Sequence, residues 1–337
     1  MPEAGCHGAE DWRPDARGQR AEGGSVFPEG RGRVAKAACA GLSLRCTLRA
    51  RSLEDATTMK NTRTHRIVIA CLVFSALASG AVAQTAAVSL EGVIDFHAHS
   101  APDVSKRSLN SFEVVRQAKA AGMRALVLKN HYVSTAALAQ LAMLEVGGIE
   151  VYGGIVLNRS AGGINPEAVR RMVEVEGQRG KIVWCPTFDA ENQVRLSKTN
   201  QPFVAVVKDG KPVPAMAEIF QLVAQHGLVF ATGHSSPDES LILLAAARQA
   251  GVKRLLVTHA LSETTRATIE QMKLMAGLGA TMEFVWLAHL GANPLPVSVC
   301  VQAVQAVGAE HFLISSDLGQ AGNPVQGATV SFSIVAG

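Results

Sequence analysis

From Val93 onward the chain repeats one unit eight times: a short apolar run followed by a stretch with helical spacing. The runs are Val93–His97, Ala125–His131, Val151–Leu157, Lys181–Thr187, Leu228–His234, Arg254–His259, Ala280–Trp286 and Phe312–Asp317. Near-continuous apolar runs separated by helices read as parallel strands covered on both faces, joined by right-handed crossovers. Eight such units are the number that closes into a ring. The expected architecture is therefore α/β, a (β/α)8 TIM barrel with its functional residues at the C-terminal ends of the strands. The composition agrees, with 48% hydrophobic and 18% charged residues over 337 positions, the balance of a folded globular protein.

Local signals mark the helices between the runs. Phe112, Val114, Val115 and Ala118 recur at helical spacing after Asn110-Ser111 and stop at Gly122. Pro166 follows Asn165, a proline at the first helical position behind an Asn cap. Ser235-Ser236-Pro237 opens a helix that runs to Ala250 and ends at Gly251. The long connection after the fourth run holds Val204–Val213, whose Asp-Gly centre between β-type residues reads as a hairpin, expected above the barrel mouth as a lid or specificity loop. The last ten residues, ATVSFSIVAG, do not look like a closing amphipathic helix, so the barrel is expected to have an incomplete C-terminus.

Residues 1–58 mix Gly, Arg, Pro and acids with no sustained period and read as a non-native or disordered extension. Met59 then opens a different pattern. Lys60, Arg63 and Arg66 form a basic start, Ile67–Gly80 an apolar core, and Ala81-Val82-Ala83 a small-residue cleavage site. That is the pattern of a secretory signal peptide over residues 59–83, with residues 84–337 as the mature barrel. The expected location is periplasmic or secreted, with no membrane contact once the leader is removed. Of six cysteines, Cys6, Cys39, Cys46 and Cys71 lie in the leader region and only Cys185 and Cys300 in the barrel. They make neither a disulfide scaffold nor a thiolate zinc site, and two unpaired thiols are expected. A net charge of +4 gives no reason to expect a nucleic-acid partner.

The ten histidines carry the chemistry. His7 and His65 fall in the leader, His226 at a helix end, and His311 at the start of the eighth strand. The other six, His97, His99, His131, His234, His259 and His289, sit at or just past the C-terminal ends of runs. In a barrel these ends converge on one mouth. In Asp95-Phe96-His97-Ala98-His99, residues two apart on a strand share a side, so His97 and His99 face inward together and can grip one cation. Imidazole suits zinc, and also iron, nickel or manganese.

An HxH pair ending the first strand, with His234 on the fifth, His259 on the sixth and Asp317 on the eighth, resembles the amidohydrolase superfamily. The motifs are DFHAH (95–99), Gly233-His234, Thr258-His259 and Ser315–Asp317, and the likeness runs from about Val93 to Gln320, closest to an uncharacterised branch. It implies that His97, His99 and His234 ligate a metal. It implies that His259 holds a second ion or polarises the substrate, and that Asp317 binds the metal and acts as general base. The fourth strand offers no bridging lysine or glutamate. Lys129, inward beside His131 on the second strand, is instead a carbamate bridge, a cation for the substrate, or half of a salt bridge. One divalent ion or two, most readily zinc, are both open.

Other residues have two readings each. Arg159 in a Gly-rich loop before a helix either cradles an anion or merely joins a tight turn. Asp189 after the fourth strand and His131 are candidate substrate contacts. Glu283, mid-strand on the seventh, either faces Lys129 and the metal or points outward. His289 reads as a rim residue, and Trp184 and Trp286 as packing. The expected activity is hydrolysis of an amide, ester, lactone or related bond in a small polar molecule by metal-activated water. The alternatives are a decarboxylase of the same superfamily, an HxH-type phosphoesterase, and a non-catalytic metal- or solute-binding protein. Self-association into a homo-oligomer stays open.

Overall fold

A computed structural model describes residues 89–290 and 293–321. The leader, the extension before it and the last residues of the chain lie outside the described residues, with the expectations attached to them. The elements run β1 (Ile94–Ala98), α1 (Ser111–Ala120), β2 (Ala125–Leu128), α2 (Ala136–Val146), β3 (Glu150–Val156), α3 (Pro166–Glu174), β4 (Gly180–Trp184) and α4 (Glu191–Leu196). There follow β5 (Val207–Lys208), β6 (Lys211–Pro212), α5 (Ala215–Gln225), β7 (Val229–Ala231), α6 (Pro237–Gln249), β8 (Arg254–Val257), α7 (Ile269–Gly277), β9 (Ala280–Val285), α8 (Val297–Val307) and β10 (Phe312–Ser315).

Eight strands form one sheet in the order β1-β2-β3-β4-β7-β8-β9-β10, every pairing parallel. The ring closes just past the strand ends. Asp317 N–H donates to the His97 carbonyl at 2.8 Å and His99 N–H to the Leu318 carbonyl at 2.8 Å. The (β/α)8 expectation is met. Three apolar layers hold it. Val127, Val156, Ile182, Trp184, Ala231 and Leu256 fill the barrel interior. A small shell packs β1 and β2 against α1 and α2, and a large one seats α3, α5, α6 and α7 on the remaining strands.

The helix signals act as read. Asn110 caps α1 in a reciprocal capping box with Glu113, Asn165 caps α3 ahead of Pro166, and Ser236 caps α6 in a box with Glu239. Each satisfies N–H groups that a first turn leaves open. Gly122 follows α1 at φ 79° and Gly251 follows α6 at φ 90°, left-handed positions that favour glycine.

Two expectations are corrected. The strands stop two or three residues short of the apolar runs at five ends, so His131, His234 and His259 lie on loops and not on strands. The hairpin forms, with β5 and β6 antiparallel around Asp209 and Gly210, both at positive φ. It is not a lid, because its flanking Val206 and Val213 join the outer core and Pro212 and Val213 border a groove on α5 and α6. None of its residues lines the mouth cavity. Cys185 and Cys300 are both free thiols, as expected.

Leu244 is fully buried in the larger shell. Leu244→Ala should lower unfolding free energy by about 2–5 kcal/mol, the cost of lost transfer energy plus a cavity. Denaturant titration of the two proteins measures it.

Candidate metal centre

The floor of the mouth is built by β1. Burial on both sides fixes Asp95, whose carboxylate accepts from Ser316 Oγ at 2.6 Å, Ser316 N–H at 3.0 Å and His97 N–H at 3.1 Å. Burial nevertheless raises its pKa to about 7, against the lowering effect of those bonds. The next residues carry donors. His97 Nε2 lies 3.2 Å from His99 Nε2, and each lies 3.1 Å from Asp317 Oδ1. Four ligands on a tetrahedron of zinc–nitrogen radius stand about 3.3–3.4 Å apart, so this trio has the spacing of a coordination sphere.

Glu283 faces inward, which settles the two readings left by the sequence. Its Oε1 accepts from Ser315 Oγ at 2.6 Å and lies 3.1 Å from His97 Nδ1, and its Oε2 accepts from His259 N–H at 3.2 Å. An imidazole that donates Nδ1–H to a carboxylate keeps its Nε2 lone pair for a metal. His97, His259 and Glu283 also form a second donor group of coordination size, beside His97, His99 and Asp317.

The remaining predicted residues surround this pair of groups. His259 Nε2 lies 3.4 Å from Asp317 Oδ2, with its ring stacked on His97 at 5.0 Å. His234 is oriented by Gln193 Oε1, 3.0 Å from its Nδ1. Its buried Nε2 has no hydrogen-bond partner, as expected of a donor waiting for an ion. His234 stands 5.2 Å from the His259 ring and belongs to neither tight group. His131 stacks on His99 at 4.8 Å and contacts Thr187 Oγ1 at 2.8 Å. Lys129 Nζ lies 3.0 Å from His97 Nε2 and 5.3 Å from the centre of the Trp184 ring.

Backbone geometry supports a site under constraint. His259 (φ 47°) and Asp317 (φ 53°) are both left-handed without being glycine. Such positions carry a cost and concentrate at functional sites. Gly233, at φ 61°, lets the chain turn into His234 where a Cβ would strike the carbonyl oxygens of Cys185 and Pro186.

A cavity of about 900 Å³ opens above, lined by His131, His234, His259 and Asp317. His97, His99 and Lys129 lie beneath it, 0–2% exposed. Arg159 and Asp189 do not line it: Asp189 Oδ2 accepts from Arg159 N–H at 2.9 Å, and the Arg159 side chain is exposed. That loop is a turn fastened by a carboxylate, with Gly162 at φ 87°. His289 is turned to the Leu295 carbonyl at 2.6 Å and is not a ligand of either group. Sequence reasoning missed Gln193, Gln320 and Phe188, which line the cavity. No periodicity marks them, because all three stand on loops or short helices.

Electrostatics follow from burial. His97, His99, His131, His234 and His259 are all held well below the usual imidazole value, first by desolvation and then by neighbouring positive charge. For His97 and His259, Asp317 opposes this. Lys129 is pulled down to about 8, first by burial, with Asp317 and Glu283 opposing. Burial raises Glu283.

The mouth of this parallel (β/α)8 barrel thus gathers five imidazoles, the carboxylates of Glu283 and Asp317 and a lysine, and among them are two donor groups spaced to hold a metal ion. The chain belongs to a family of unknown function (DUF6282), which matches residues 92–283, more than half of its length. A comparison with curated proteins finds no match. Among solved structures, an amidohydrolase from Pseudomonas aeruginosa is similar at 13% identity, covering 68% of this chain and 75% of that one, with a TM-score of 0.47. A mutant organophosphorus hydrolase from Deinococcus radiodurans is similar at 14% identity, 73% and 86% coverage and a TM-score of 0.46. A D-hydantoinase from a Bacillus species is similar at 13% identity, 67% and 58% coverage and a TM-score of 0.43.

The imidazole shifts set a pH dependence for the metal-free protein. Each folded-state value lies below its unfolded one, so below about pH 6.5 the unfolded chain takes up protons that the folded site refuses. Stability is present above that pH and is lost as pH falls. Asp95 and Glu283, raised by burial, act oppositely. In chelator, the denaturant midpoint should fall between pH 7 and pH 5. A flat profile would mean that the imidazoles are solvated.

Proposed function

We propose that this protein is a metal-dependent hydrolase that cleaves an amide, ester, lactone or related bond with an activated water. The observation that carries the reading is the convergence of His97 Nε2, His99 Nε2 and Asp317 Oδ1 within 3.1–3.2 Å of one another. Unpartnered His234 Nε2 stands nearby in the wall of the same cavity. The donors are nitrogen and oxygen, which suits zinc. A bound divalent ion supplies Lewis acidity, acidifying water and polarising a carbonyl or phosphoryl oxygen.

The chain's own residues do the rest. Asp317, at the boundary between donor cluster and cavity, takes the proton from the attacking water and returns it to the leaving group. His259 reaches the same carboxylate and the cavity, and so meets the substrate oxygen. Glu283 orients His97. Lys129 lies under the site as a cation that offsets developing negative charge. In that role the site holds one ion; a carbamate on Lys129 would be a bridge for two. Read as a signal peptide, the pattern over 59–83 supports a reaction in the periplasm or outside the cell, on a small-molecule substrate.

Three measurements test this. Purified protein should retain about one equivalent of zinc, and two, bound only when bicarbonate is present, would assign the carbamate. Asp317→Asn should lower turnover of an ester, lactone or amide by about 10²- to 10⁴-fold, the worth of a general base. Unchanged turnover there removes Asp317 from the mechanism. Glu283→Gln, which leaves His97 without its anionic partner, should weaken zinc binding about 10- to 100-fold in competition with a chromophoric chelator.

A further inference from the structure

We propose that the substrate carries an apolar limb, alkyl or aryl, beside its scissile group. The limb seats on a wall built by Leu261, Leu287, Leu290, Leu295, Pro296 and Val299. The proposal rests on the hydrolytic reading above and adds to it the class of molecule hydrolysed. It replaces the small polar substrate expected from the sequence with an amphipathic one.

One cavity of about 900 Å³ holds both chemistries. One side presents His131, His234, His259 and Asp317. The other comes from the loops after β8 and β9 and the first turn of α8, where the six apolar side chains stand beside Ser262, Thr264 and Asn293. Those six have no hydrogen-bonding side-chain atom, and none of them is fully buried. Phe188 also lines the cavity, 41% exposed and with its ring 4.1 Å from that of His131. Apolar side chains left half-covered around a concave site adjoining reactive groups are the mark of a ligand surface, since core residues would be sealed by their neighbours. Charge on this side stands at the rim, where Arg266 pairs with Glu263 at 3.4 Å and both side chains are largely exposed. A water-soluble head would meet the imidazoles and Lys129, while a limb of several carbons would displace water from the leucine wall. A polar molecule of a few atoms would leave most of the cavity filled with water against apolar carbon, a loss of the binding energy that the walls offer.

The test uses the full chain, with and without zinc, and straight-chain carboxylates as probes. Calorimetric titration with acetate, butyrate, hexanoate and octanoate should show Kd falling about four-fold per methylene, equivalent to about 0.8 kcal/mol for each CH₂ buried. The ratio of octanoate to acetate affinity should shrink in Leu287→Ser and in the nearly isosteric Val299→Thr, the second guarding against misfolding in the first. A parallel assay compares hydrolysis of p-nitrophenyl acetate and octanoate. Length-dependent binding without turnover of either ester sustains the apolar limb and sinks the hydrolase reading. Turnover with no dependence on length sinks the limb and leaves the hydrolase standing. Affinity independent of length, with a dimer on light scattering, would overturn the proposal by giving the wall to a second copy of the chain.

Discussion

The site depends on the seam where the barrel closes. Strands β1 and β10 are the first and last of the sheet, and they meet through a handful of bonds at one level. The buried Asp95 carboxylate holds Ser316 by both its hydroxyl and its N–H, and two backbone bonds tie 317 to 97 and 99 to 318. Hydrogen bonds to a charged group contribute about 1.5–3 kcal/mol each when buried. The same bonds set the relative position of the HxH pair and the Asp317 carboxylate, so closure of the fold and assembly of the donor cluster are one event.

The cluster is expensive without an ion. Five imidazoles share a desolvated mouth with a lysine whose pKa has fallen to about 8 and two carboxyls raised by burial. Burying so many titratable groups opposes folding unless something offsets it. Glu283 does part of this by accepting from Ser315 and His259 while facing His97. A divalent ion held by the neutral imidazoles would do the rest, since it needs the unprotonated form that burial enforces. Left-handed backbone at His259 and Asp317 adds to the local cost. Stability has been given up at the mouth and is supplied by the shells behind the strands, where Phe230, Leu243 and Met272 are fully buried.

Much of this was legible in the sequence because it depends on local chemistry. The capping residues Asn110, Asn165 and Ser236 announce α1, α3 and α6 without help from the rest of the fold. The HxH spacing and the histidines at the ends of apolar runs announce the mouth. Other features could not be read. Whether Glu283 faced inward or outward depends on the register of β9 in the ring, and a lone acid in ATMEFV gives no second residue to fix the phase. Asp189 looked available at the mouth, but its partner, Arg159 N–H, comes from a loop 30 residues away. The hairpin sequence predicted its own turn correctly and said nothing about where the hairpin lies.

The sequence by itself determined the repeat, and hence the barrel, and the set of residues able to bind a cation. Period, caps and residue type act over a few positions, and those are recorded in the order of the letters. Tertiary structure alone decided which donors meet. His97, Lys129, His259, Glu283 and Asp317 are up to 220 positions apart in the chain, and only the circular register of eight strands brings them within a few ångströms. It also decided that the cavity above them is half apolar, because that wall is assembled from loops whose sequences share no pattern.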